Sequence, residues 1–150
     1  MKKSEMAPII IGKLLNIGGM LQRKGDKLLQ EFNLNQQQFS ILFEINLAGK
    51  VKQKDMVNRL LLEKPHVSKV VKKLQSMELI TVTQTPEDKR AFWLEPTKKG
   101  KDVVNKCRKI FQKWNSEWTD EIPDKQLSDL MNSLGVLQSV FKSKIYDLDI

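Results

Sequence analysis

The chain changes its hydrophobic period once. Up to about residue 77 apolar side chains recur at helical spacing. From 79 to 95 that spacing gives way to β-branched and aromatic residues around a polar tip, and from 97 onward it returns. A single excursion of this kind in 150 residues, with no internal repeat and no Pro/Gly/Ser linker, limits the fold to a mainly helical body carrying one small hairpin.

The helical part divides at its punctuation. Residues 8–31 set Ile10, Leu14, Ile17, Leu21, Leu28 and Leu29 along one helix, expected to be kinked or weakened at Gly18-Gly19. Asn33-Leu34-Asn35 interrupts it, and Asn35 is suited to cap a second helix that presents Phe39, Leu42 and Phe43 and stops at Gly49. A short helix is predicted around 53–61, with Met56, Val57 and Leu60 inward. After Leu62-Glu63-Lys64, Pro65 fits the first turn of a fourth helix running to about Met77. Residues 79–83 and 91–95 read as two strands, and Pro96, having no N–H, is expected to end the second. Thr97 is suited to cap a long helix whose buried stripe is Val103, Cys107, Ile110, Phe111, Trp114 and Trp118. A break at Ile122-Pro123-Asp124 precedes a sixth helix carrying Leu127, Leu130, Met131, Leu134, Leu137, Phe141, Ile145 and Leu148.

Charge narrows the function classes. The chain carries +8, but residues 120–150 hold three lysines against six carboxylates, which leaves +11 on residues 1–119. A basic body with a mildly acidic tail points to a polyanion, either nucleic acid or an anionic membrane surface. No apolar run approaches the ~18 residues that cross a bilayer, and the first helix has few cations on its polar face, so a membrane partner is not expected and a cytoplasmic location is. One cysteine, Cys107, and one histidine, His66, with no glycine-rich phosphate loop, argue against an enzyme, a metal or another cofactor. The aromatics fall on core-facing positions and offer no stacking platform for RNA.

Two short helices followed at once by a charged-tip hairpin form a winged helix-turn-helix pattern, whose second helix enters the major groove. In that helix Val67, Val70, Val71 and Leu74 face inward, which leaves Pro65, His66, Ser68, Lys69, Lys72, Lys73 and Ser76 on the other face with no carboxylate. Lysines there suit phosphates, while His66, Ser68 and Lys69 lie near enough to the helix start to reach base edges. The hairpin tip holds Lys89 and Arg90, and an arginine on a thin projection suits the minor groove. Asp88 in such a loop needs a reason: it either orients Arg90 or ties the loop through backbone hydrogen bonds.

The stretch Pro86-Glu87-Asp88-Lys89-Arg90-Ala91, followed by Thr97-Lys98-Lys99-Gly100, resembles the wing signature of the MarR (multiple antibiotic resistance regulator) family. Residues 53–57 and 67–74 are similar to that family's two DNA-binding helices, and the helix order matches over nearly the whole chain. The resemblance implies that Asp88 and Arg90 are wing residues and that Ser68 and Lys69 are recognition-helix contacts. It also implies a small aromatic or anionic effector between the DNA-binding lobe and the dimerisation helices. Two positions depart from the family pattern. Glu78 stands where glycine is common, so a left-handed backbone there would cost roughly 1 kcal/mol, and Pro96 replaces leucine before Thr97.

The expected architecture is six helices and a hairpin wing. Residues 35–96 form the winged helix-turn-helix, and residues 1–34 and 97–150 are dimerisation helices whose apolar stripes a second copy covers. The expected function is that of a sequence-specific transcription regulator, a repressor in the manner of the family. As a homodimer it would occupy a pseudo-palindromic stretch of double-stranded DNA with half-sites roughly 34 Å apart. Cys107, on an apolar stripe, is read as a packed and inert thiol.

Overall fold

The structure is a computed structural model that describes residues 1–146; Leu148, expected on the last helical stripe, lies outside the described residues. Six α-helices and three strands follow one another among the described residues: α1 Lys3–Leu29, α2 Gln36–Ala48, β1 Val51–Lys52, α3 Gln53–Leu60, α4 Lys64–Ser76, β2 Ile80–Gln84, β3 Phe92–Pro96, α5 Lys98–Thr119 and α6 Asp124–Tyr146. Met1–Ile110 form one compact unit and the residues from Phe111 a second.

Helix boundaries follow local chemistry. α1 closes through a 3-10 turn, Gln30–Phe32, and Asn33 then takes a left-handed conformation at φ 56°. Asn35 caps α2: its Oδ1 accepts from Gln38 N at 2.8 Å, and Gln38 Oε1 accepts from Asn35 N at 3.0 Å. This reciprocal pair satisfies two amides that the helix cannot. Gly49, at φ 74°, ends α2 where a side chain would be strained. Two other left-handed residues are not glycines. Leu61 (φ 52°) ends α3, and Glu78 (φ 59°) turns the chain from α4 into the sheet. The conformation considered for Glu78 is therefore adopted. α1 runs helical from Lys3 through Gly18 and Gly19.

The sheet is antiparallel in the order β1-β3-β2. Val82 and Val51 both pair with Leu94, while Thr83 and Lys52 both pair with Trp93. β1 was not expected, because two residues are too few to show a period. Pro96 belongs to β3 as its last residue, opposite Ile80; at a strand end the missing N–H removes only a terminal rung.

Residues of Met1–Ile110 build a closed core. Ile41, Leu42 and Ile45 of α2, Met56 of α3, Val67, Val71 and Leu74 of α4, then Leu79, Leu94, Val104 and Cys107 are all buried. α4 packs on α2, α3 and β2. The start of α5 is fixed to the end of α4 through Leu79. Thr97 N donates to the Leu79 carbonyl at 3.0 Å, Thr97 Oγ1 donates to the Glu78 carbonyl at 2.7 Å, and Gly100 N donates to Thr97 Oγ1 at 3.0 Å. A Cβ on Gly100 would collide with the Leu79 carbonyl oxygen. The threonine and the glycine three residues on are thus one joint, in which the hydroxyl caps the helix and the absent side chain permits close approach.

Burial thins out along the terminal helices. Of the stripe expected on α1, only Leu29 is fully buried; Ile10, Ile17 and Leu21 are each about half exposed, and Leu15 beside them is 73% exposed. On α5 the fully buried positions are Gly100, Val104 and Cys107, whereas Val103, Ile110, Phe111 and Trp114 are half-buried and Trp118 is exposed. α6 has no buried residue, and Leu130, Met131, Leu134 and Ile145 stand in solvent.

Candidate nucleic-acid interface

α4 begins with Glu63 at its cap and Pro65 in its first turn. Its apolar residues all point inward, so the opposite face is what remains: Pro65, Lys69, Lys72, Lys73 and Ser76 are exposed, with no carboxylate between Lys64 and Ser76. His66 and Ser68 lie half-buried at the two edges of that face rather than on it. His66 Nε2 is enclosed and, among the described residues, has no hydrogen-bond partner. Ser68 Oγ accepts from Gln53 Nε2 of α3 at 3.1 Å. At the other end of α4, Lys99 Nζ donates to the Met77 carbonyl at 3.0 Å, a cation placed where helix carbonyls lack partners.

The hairpin tip is held by its own polar groups. Thr85, buried, donates through Oγ1 to the Asp88 carbonyl at 2.7 Å and accepts from Asp88 N at 3.2 Å. Asp88 Oδ1 accepts from Arg90 N at 2.9 Å and lies 3.4 Å from Arg90 Nε. Gln84 Nε2 adds a bond to the Lys89 carbonyl at 3.0 Å. Both readings of Asp88 therefore hold at once: it ties the backbone of the loop and it braces the arginine. The Arg90 side chain is nonetheless 93% exposed, so the brace sets a direction without covering the charge. Lys89 is exposed beside it.

Three features were not foreseen. Thr85 organises the tip, Gln53 joins the two helices of the helix-turn-helix, and the ammonium groups of Lys50 and Lys52 sit 4.9 and 5.3 Å from the Trp93 ring centroid, where the ring face attracts cations. Trp93 pairs with Lys52 across the sheet, a juxtaposition that depends on the unforeseen strand β1. Cys107 is buried, and its thiol is pushed up to about 11, first by burial and then by the nearby Glu31 carboxylate.

The model of the MarR family matches residues 34–92. The chain carries a MarR-family domain. That domain runs from just before α2 to the first residue of β3, and all nine expected site residues fall inside it: Pro65, His66, Ser68, Lys69, Lys72, Lys73, Asp88, Lys89 and Arg90. The HTH-type transcriptional regulator BilQ of Clostridioides difficile (strain CD3) is 27% identical over 115 residues, covering 77% of this chain and 78% of BilQ. Among solved structures, the 2,4-dichlorophenol-bound form of the organohalide-sensing regulator RdhR-CbdbA1625 superposes with a TM-score of 0.85 at 18% identity, over 97% of this chain and 88% of that one. A mutant MarR from E. coli in complex with operator DNA gives 0.78 at 19%, over 87% and 95%. These likenesses establish the winged helix-turn-helix fold well beyond the matched MarR-family domain, through the helices on either side of it.

Proposed function

We propose that the protein is a sequence-specific DNA-binding transcription regulator that occupies a pseudo-palindromic operator as a homodimer. The observation that carries this reading is the exposed face of α4, which holds Lys69, Lys72 and Lys73 and no carboxylate, on the helix that leads directly into an Arg90-tipped wing. The α4 lysines would neutralise phosphates at the rims of the major groove, and the α4 N-terminus would present base-reading side chains. Arg90, braced by Asp88, would enter the adjacent minor groove. Transcription is then repressed by occupancy alone, with no chemical step.

The dimer follows from the terminal helices. The exposed apolar side chains of α1 and of α6 are the surface that a second copy would cover, and a twofold pair carries two α4 helices to half-sites roughly 34 Å apart. Residues 35–96 then act as the DNA-binding part and the terminal helices as the pairing part. The operator-bound MarR and the dichlorophenol-bound regulator among the structural neighbours support the two halves of this reading, DNA as target and a small aromatic compound as the class of effector that loosens binding.

Selection of bound duplexes from a random pool tests it. The expected product is a family of imperfect palindromes with half-sites one DNA turn apart. With that duplex, Arg90→Ala and Lys72→Ala should each weaken binding and reduce the slope of log K against log salt by about 1. Unchanged slopes in both variants would refute the contact face.

A further inference from the structure

The hydrogen bond between α3 and α4 restricts where the Ser68 hydroxyl can send its proton. Three helical serines spend their hydroxyl proton on their own backbone: Ser40 on Gln36, Ser76 on Lys73 and Ser116 on Gln112, at 2.9, 2.7 and 3.0 Å. Ser68 does not. Its Oγ is turned toward α3 and accepts from Gln53 Nε2 at 3.1 Å. Among the described residues no protein acceptor takes the Ser68 proton. A hydroxyl has one proton and two lone pairs, so engaging one lone pair with the amide keeps the proton from turning toward Gln53 and leaves it, with the second lone pair, for groups outside the protein. Ser68 stands at the edge of the α4 face, four residues into that helix, where a side chain in the major groove meets base edges.

We propose that Gln53 is a specificity-determining residue: by donating to Ser68 it keeps that serine's proton available to DNA, so that Ser68 favours a base edge that offers an acceptor. A free serine hydroxyl turns to suit either a donor or an acceptor and discriminates poorly. With its proton held outward, it favours guanine N7 or O6, adenine N7 or thymine O4 over the cytosine amino group, which can use only the one remaining lone pair. Gln53 acts here as a positioning residue through Ser68. Its place at the first position of α3, half-buried and flanked by Lys52 and Lys54, keeps it at the mouth of the same surface. This inference rests on the DNA-binding reading above.

The test is duplex selection run in parallel on the wild type, Gln53→Leu, Ser68→Ala and Gln53→Glu, each in the full chain and each checked for its helical circular dichroism. The wild type should select an acceptor-bearing base at one position per half-site. Gln53→Leu and Ser68→Ala should both relax that same position, about fivefold or more in base preference, with the salt slope unchanged because no charge is altered. Gln53→Glu preserves the shape but only accepts hydrogen bonds, so the Ser68 proton turns inward and the preference at that position should move to an amino-bearing edge. It also provides the test if the leucine variant does not fold. A wild-type operator that Gln53→Leu and Gln53→Glu select with an unaltered base profile overturns this proposal alone. A relaxed position that differs between Gln53→Leu and Ser68→Ala does the same. A wild type that selects no duplex overturns the DNA-binding reading, and this inference with it.

Discussion

The helix-turn-helix with its wing and the terminal helices use the same apolar alphabet to different ends. In the first region every inward position of α4 is buried, and α2, α3 and the sheet close around it. In α6 eight leucine, methionine, phenylalanine and isoleucine positions were expected on one stripe, and none of those described is fully buried; in α1 the isoleucines stand about half in water. A stripe of that kind is costly to leave wet, at about 25 cal/mol per Å² of apolar surface. A region that completes its own core can be judged from one subunit. A region whose stripe remains exposed would draw its stability from the contact with another copy proposed above.

Substitutions should separate the two regions. The largest effect is expected in the closed core: Leu74→Ala removes a fully buried side chain and should lower unfolding free energy by about 2–5 kcal/mol, seen in thermal melting as a loss independent of protein concentration. Leu134→Lys, on the exposed stripe of α6, should barely move the stability of one subunit. In sedimentation it should halve the mass at micromolar concentration, and it should weaken operator binding on the order of 100-fold, because two half-sites are no longer linked. If Leu134→Lys instead melted the subunit itself, the contrast between the regions would collapse.

Cys107 gives a smaller effect with a defined direction. Its folded thiol titrates at about 11 against an ordinary 9.0, so the fold prefers the protonated form. The stabilisation is fully present below pH 9 and is lost as pH rises toward 11. Denaturant unfolding measured across that window should show a decline that Cys107→Val lacks, and native protein at pH 8 should react with alkylating reagents far more slowly than unfolded protein. The smallest change is expected at Glu78→Gly, which relieves a left-handed side chain at φ 59° and should raise stability by about 0.5–1 kcal/mol.

What could be read from residues alone follows the length of the signal. Long periodic helices and their caps were legible: Asn35, Gly49 and Thr97 sit where their chemistry places them. The α4 stripe was legible for the same reason, and with it the exposed lysine face. β1 was not, because its two residues show no period and exist as a strand only through Val51 and Lys52 pairing with β3. Gln53 escaped notice because its role is a hydrogen bond to a residue 15 positions away, which no local pattern encodes; Thr85 was read only as part of a polar tip, although its bonds to Asp88 span three positions. His66 and Ser68 were assigned to the open face, yet both lie at its edges, where α4 turns toward its neighbours. On α5 Cys107 is buried as expected, but Val104 is buried where Val103 was expected and Trp118 is exposed, because the close approach at Gly100 sets the rotation of the helix.

The joint at Leu79 has a mechanical consequence. One backbone oxygen receives the Thr97 amide and lies against Gly100, while the Thr97 hydroxyl grips the residue before it. No slack is left there to absorb a shift. A tilt of the first turn of α5 therefore levers the tail of α4 along with it, so that under the proposed DNA-binding reading a small molecule leaning on α5 would loosen the complex without approaching Lys69, Lys72 or Lys73.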